Sequence, residues 1–268
     1  MHTILVTRLV AFSDRFLDPL PLRADRFDRK FLLTLTCVVA FIGICYWSLG
    51  AYWRVSWFSG EDGLIEWVSV SMYVATAVMT SRTAWSLTRL GHPRLGLFHF
   101  LFALTTVLVI LEEISWGQRL FNWTTPEALS RINIQGETNL HNIKTFEYLI
   151  YTTLLWACLL ALGGAGLRTV LHYHHRVTTA DFILPTLSLS PGFLTAVIWI
   201  GAGQPFTFVR SILWLSPQGS EYPEVLLGFS LLLYAYANLS RTGILGRHNP
   251  PISRSMPRFP RSNIVSCL

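Results

Sequence analysis

Phe31 to Gly50 (FLLTLTCVVAFIGICYWSLG) carries no charged residue over 20 positions. At about 1.5 Å of rise per residue, a helix of that length measures about 30 Å, the thickness of a bilayer's hydrocarbon core. The rest of the chain agrees with it. Only 13% of the residues are charged and 51% are hydrophobic, whereas a soluble domain usually carries about 25% charged residues. The sequence predicts an all-α integral membrane protein.

Six spans are expected: Phe31 to about Trp53, Leu64 to Ser81, Leu95 to Glu113, Phe146 to Gly164, Phe182 to Ala202, and Pro223 to Leu239. Pro185 and Pro191 interrupt the fifth, and Pro223 suits the first turn of the sixth. With the N-terminus inside, the inner segments hold six, three, two and five Lys or Arg, and the outer segments only Arg54, Arg119, Arg131, Lys144 and Arg210. That asymmetry predicts a polytopic bundle with both termini cytoplasmic. Residues 1–30 lack a secretory cleavage pattern and read as an amphipathic arm through Ile4, Leu5, Leu9, Phe12 and Phe16. Residues 31–241 form the six-span domain, and residues 242–268, basic and rich in proline, read as a disordered cytoplasmic tail. The preference for Arg over Lys points to a bacterial source, hence to the inner (plasma) membrane.

The net charge of +6 is explained by topology. The cations sit in short loops and tails, with no basic face carrying aromatic readers, so nucleic acid is not expected as a partner and membrane lipids are. Cys37, Cys45, Cys158 and Cys267 show no CxxC spacing, which argues against a zinc knuckle or a disulfide framework.

Chemistry concentrates between Leu111 and Asn142 (LEEISWGQRLFNWTTPEALSRINIQGETNLHN), the outer loop between spans three and four. Glu112 and Glu113 end the third span, and adjacent helical positions differ by about 100°, so one of them is expected to face inward. Thr125-Pro126-Glu127 reads as the start of a short helix, with Thr125 as cap and Pro126 at its first position. If the segment beyond Gly136 is helical, Glu137 and His141 share a face at i,i+4. With Glu112 or Glu113 they could act as general acid and base, and Glu113, Glu137 and His141 could instead hold a divalent metal. Gln118, Asn139 and Asn142 would orient a substrate. Arg119 or Arg210 would hold an anionic headgroup, with Glu66 and Asp62 behind them. The same residues also fit a purely structural role at a solvated span end. Trp47, Trp53, Trp57, Trp67, Trp116 and Trp123 read as interface anchors. The tract around His172, His174 and His175 reads as a solvated loop on the other side, and His99 as a packed histidine.

The strings EEISWGQR (Glu112 to Arg119), QGETNLHN (Gln135 to Asn142) and GEDGLIEW (Gly60 to Trp67) resemble an uncharacterised family of bacterial multi-span membrane proteins. That resemblance implies a multi-span membrane fold and no particular reaction. The paired glutamates also bear a partial likeness to the CPBP (CAAX-protease-like) intramembrane peptidases. Those use EExxxR, FxxxH and HxxxN/D motifs, but here Arg119 comes two positions late and the other two motifs do not occur, so no catalytic assignment follows.

These features support three expectations: a membrane-embedded hydrolase or transferase acting on a lipid, lipid-linked or peptide substrate, a transporter or ion pathway, and a non-catalytic assembly subunit.

Overall fold

Large apolar side chains point outward from the central helices, and small or polar ones point inward. On the helix Pro93–Glu113 the exposed residues include Leu97, Leu101, Leu104 and Leu108, while Leu95, Gly96, His99, Ala103 and Thr106 are buried. On the helix Lys144–His172, Leu149, Trp156, Leu160 and Leu167 are exposed while Cys158 and Ala165 are buried. Water would penalise that arrangement, whereas lipid tails accept it and leave small residues to bring helices together. Among the described residues three stretches are long and apolar enough to cross a membrane: Pro93–Glu113, Leu149–Thr169 and Ala180–Ile198. The protein is an α-helical membrane protein.

A computed structural model describes residues 19–20, 34, 37–38, 64–172, 177–203 and 221–248. Its helices are α1 (Leu64–Arg89), α2 (Pro93–Glu113), α3 (Gln118–Phe121), α4 (Glu127–Ser130), α5 (Lys144–His172), α6 (Ala180–Ile183), α7 (Ser190–Gly203) and α8 (Glu221–His248). Two short strands, β1 (Pro19–Leu20) and β2 (Val177–Thr178), pair antiparallel with Pro19 opposite Thr178. All of the first expected span but residues 34, 37 and 38, the rest of the N-terminal arm, Asp62, His174, His175, Arg210 and residues 249–268 lie outside the described residues.

Local chemistry sets the helix ends. α1 stops where Gly91 adopts a φ of 86°. The Gly91 N–H then donates to the Thr88 carbonyl (3.2 Å) and the His92 N–H to the Leu87 carbonyl (2.9 Å). This left-handed cap satisfies carbonyls that a helix end leaves orphaned. Pro93 immediately starts α2, so the chain reverses within three residues. At Gly96 the returning helix comes so close that an added Cβ would lie 2.1 Å from Thr88 Oγ1 and 3.0 Å from the Ala84 carbonyl. Only a residue without a side chain permits that approach.

The α1–α2 hairpin packs along α8, and α7 lies against both α5 and α8. One core cluster joins Cys158, Leu189, Phe193, Ala196, Leu227, Leu233, Tyr234 and Ala237. A second, at the end remote from the 114–143 loop, joins Leu87, Leu95, Phe182 and Leu245.

Several boundaries move from those expected. α1 continues past Ser81 to Arg89, because no breaker occurs before Gly91. α8 continues through His248, so residues 242–248 are helical and belong to the bundle, where Leu245 is fully buried. The fifth span is not one helix. The chain leaves α6 with Leu184 extended (ψ 134°), passes Pro185 and a 3-10 turn over Leu187–Leu189, and only then enters α7.

Candidate functional site: the loop between α2 and α5

The loop opens with a backbone that ordinary residues avoid. Ser115 (φ 48°), Trp116 (φ 56°) and Gly117 (φ 89°) are left-handed in succession, and Asn122 (φ 54°) closes α3 in the same way. A left-handed non-glycine residue costs about 1–2 kcal/mol. Three interlocking hydrogen-bond groups over-determine this conformation, and each uses residues that the sequence had singled out.

The innermost group is centred on two buried asparagines. Asn133 Nδ2 donates to the Asn139 carbonyl (2.9 Å) and to Asn139 Oδ1 (2.8 Å). Asn133 Oδ1 accepts from the N–H groups of Gln135 (3.0 Å) and Glu137 (3.1 Å). All four bonds available to one amide side chain are therefore made. Asn139 Nδ2 in turn donates to Ser115 Oγ (3.0 Å) and Glu137 Oε2 (2.7 Å), and Ser115 Oγ donates to the same carboxylate oxygen (2.7 Å). Ser115 and Asn139 are 0% and 1% exposed, and Glu137 is half-buried beside them.

Glu112 organises the second group. Its Oε1 accepts from the Trp116 indole N–H (2.7 Å), and its Oε2 accepts from the backbone N–H groups of Leu140 (2.7 Å) and His141 (3.1 Å). His141 Nδ1 stands 3.5 Å from the same Oε2, with the two side chains 31% and 20% exposed. Gln118 makes the third group, its Oε1 accepting from the Thr138 N–H (2.7 Å) and from Thr125 Oγ1 (3.1 Å). At the rim Asn142 donates to Gln135, and Arg131 pairs with Glu127.

Two expectations about this segment are corrected. Residues 137–141 are not helical, so Glu137 and His141 do not share a face at i,i+4. Gly136 takes a φ of 70° and Asn133 captures the Glu137 N–H, which turns the chain before a helix can start. Glu137 faces the buried asparagines, and Glu112 takes its place beside His141. The cap of α4 also shifts by one position. Pro126 occupies the cap itself (ψ 136°), and Thr125 turns its hydroxyl to Gln118 instead.

The remaining candidates are placed as follows. Glu113 is the last residue of α2 and half-buried, and Glu66 stands half-buried in the first turn of α1. Arg119 lies on α3 with its side chain outside the described residues. Among the described residues no three His, Cys, Asp or Glu side chains converge as a metal would require. Trp67, Trp116 and Trp123 are 40%, 42% and 44% exposed.

Ser115, Asn133, Thr125 and Thr138 were not among the sequence candidates. The spacing Asn133-x-x-Gly136 offered a signal for the first of the turns, since an Asn side chain readily bonds backbone two residues on.

A second polar cluster, also unforeseen, lies at the opposite end of the bundle. The break after α6 frees carbonyls that side chains from α5 and α8 cap. Tyr234 Oη lies 2.7 and 2.9 Å from the Phe182 and Ile183 carbonyls, and Asn238 Nδ2 donates to Phe182 (3.3 Å). Arg241 donates to the Asp181 carbonyl (2.9 Å) and Arg168 to the Leu184 carbonyl (3.1 Å). The Arg168 Nε–Asp181 Oδ1 ion pair (2.8 Å) is buried beside them, with side chains 9% and 2% exposed. His99 is buried against this cluster, stacked on Tyr234 with ring centroids 6.4 Å apart.

Comparison with protein-family models, with curated proteins and with solved structures finds no match to this chain. The resemblances carried by EEISWGQR and QGETNLHN rest on those motifs alone.

Proposed function

We propose that the protein is a membrane-embedded hydrolase or transferase, working at the outer face of a bacterial inner membrane on a lipid, lipid-linked or peptide substrate. The proposal takes the bundle as six spans with both termini cytoplasmic. One observation carries it: Glu112 and His141 form a partly exposed carboxylate–imidazole pair beside a left-handed Ser115–Trp116 backbone. Strained backbone of this kind persists where the surroundings enforce it, and it concentrates at active sites.

The roles follow from what each group touches. Glu112 accepts three N–H groups, which fixes its direction, so it orients His141 and leaves proton transfer to the imidazole. The 3.5 Å separation is longer than a hydrogen bond, and catalytic contacts commonly tighten only when substrate is bound. A metal held by Glu113, Glu137 and His141 would require these side chains to converge, which they do not among the described residues, whereas acid/base chemistry by the Glu112–His141 pair needs no such rearrangement. Trp116, bound to the same carboxylate, supplies an apolar wall at the membrane surface.

The test compares His141→Gln with the unaltered protein. Each is incubated in detergent with bacterial lipid extract and with a peptide library, and products are followed by mass spectrometry. Loss of a product in the variant, at unchanged thermal stability, is the expected result. Products formed equally by both proteins would sink the assignment.

A transport reading has its own observation, the broken fifth span with the buried Arg168–Asp181 pair. Discontinuous helices and intramembrane charges mark substrate pathways in transporters. Ion or solute flux in proteoliposomes that survives His141→Gln would favour it.

A further inference from the structure

At the end remote from the loop, α1 and α8 leave an open groove of about 540 Å³, lined by Ser81, Arg82, Trp85, Ser86 and Leu239. Its two walls differ in chemistry. Arg82 is exposed, Trp85 is 64% exposed, and the Arg89 guanidinium lies 4.8 Å above the Trp85 ring. Leu239 on α8 supplies the apolar side. The sequence has no Asp or Glu from Arg82 to Leu111, or from Val225 to His248. The nearby Asp181 is 2% exposed and committed to Arg168. The groove is therefore cationic on one wall and apolar on the other, and the stretches of α1, α2 and α8 at this end of the bundle carry no carboxylate to neutralise it.

That pattern matches one class of occupant. A free phosphate would use the arginine but not the Trp85–Leu239 surface, and a neutral lipid would use the surface but not the charge. Exposed tryptophan paired with arginine at the end of a membrane bundle belongs at headgroup depth. Basic pockets between membrane helices recognise anionic headgroups. We propose that this groove seats one anionic phospholipid, with its phosphodiester at Arg82 and the first methylenes of an acyl chain against Trp85 and Leu239. Arg89, stacked on Trp85 by a cation–π contact, holds the indole in place and adds to the local positive potential. The Ser81 and Ser86 hydroxyls stand at the groove's edge for a glycerol headgroup.

Native mass spectrometry of the full chain, given equal amounts of phosphatidylglycerol and phosphatidylcholine, tests this. A preference for phosphatidylglycerol of about threefold or more is expected. Arg82→Gln/Arg89→Gln should bring it to parity, and Arg131→Gln in the distant loop should leave it intact. Parity in the unaltered protein, or a preference that survives the double substitution, overturns the proposal. A second measurement does not depend on those variants folding. A photoreactive residue at position 239, in vesicles containing both lipids, should capture phosphatidylglycerol well above its mole fraction. Capture in proportion to mole fraction, or of another polypeptide, overturns it equally.

Discussion

The two polar clusters, one at each end of the bundle, solve the same problem with opposite materials. In the 114–143 loop, backbone N–H groups turn inward and are met by neutral amides and a carboxylate, with Asn133, Gln118 and Glu112 as the acceptors. At the break between α6 and α7, backbone carbonyls turn inward and are met by cations and a phenol, from Arg168, Arg241 and Tyr234. The loop draws its partners from a single stretch of chain, separated by at most 29 positions. The break draws them from as far as 60 positions away. The loop also keeps its Glu112–His141 pair partly exposed and spends energy on left-handed backbone, while the break buries its ion pair completely. A buried lock suits a scaffold, and a partly exposed, strained site suits the working surface proposed for the loop.

Substitutions at the two ends should therefore fall into different classes. The largest loss of stability belongs to the buried lock. Asp181→Ala leaves Arg168 uncompensated and should cost about 3–5 kcal/mol in reversible detergent unfolding. Replacing both partners with apolar residues should recover much of that loss, and failure to recover would mean that Arg168 acts mainly through the Leu184 carbonyl. Next come Asn139→Ala and Gly96→Ala, each expected to cost about 1–3 kcal/mol. The first leaves buried donors and acceptors unmatched, and the second drives a methyl group into Thr88 and the Ala84 carbonyl. If Asn139→Ala proved as damaging as Asp181→Ala, the loop would be as much scaffold as the break.

Smaller still should be Trp116→Gly. Relief of the left-handed backbone, about 1–2 kcal/mol, roughly offsets the lost indole hydrogen bond of about 0.5–1.5 kcal/mol. Its thermal midpoint should stay near that of the unaltered protein while turnover falls. A large drop in the midpoint would instead make Trp116 a structural anchor. Arg131→Ala breaks an exposed i,i+4 pair with Glu127 and should change neither stability nor turnover measurably, since such pairs are worth little in solvent. A clear effect there would extend the working surface to the loop's rim.

Much of the fold was legible in the chain because the signals are local. Uncharged apolar runs and the density of polar residues from Leu111 to Asn142 each act within a few turns. The loop's internal arrangement was less legible. Glu137 and His141 have helical spacing, but the Asn133 side chain binds the Glu137 N–H, and no periodicity argument anticipates that competition. Asp181 offered a fainter clue, as a lone acid beside an apolar span with Arg168 as its nearest described cation in sequence.

The sequence by itself determined the membrane-compatible helices, their approximate limits and the segment where chemistry is concentrated. These depend on hydropathy and on turn residues acting over short distances. Tertiary structure alone decided which glutamate meets His141, that Glu137 binds Ser115 and Asn139, and that Arg168, Tyr234 and Arg241 cap a broken span. Those choices rest on buried hydrogen bonds between residues far apart in the chain. Only packing reveals which donors reach which acceptors.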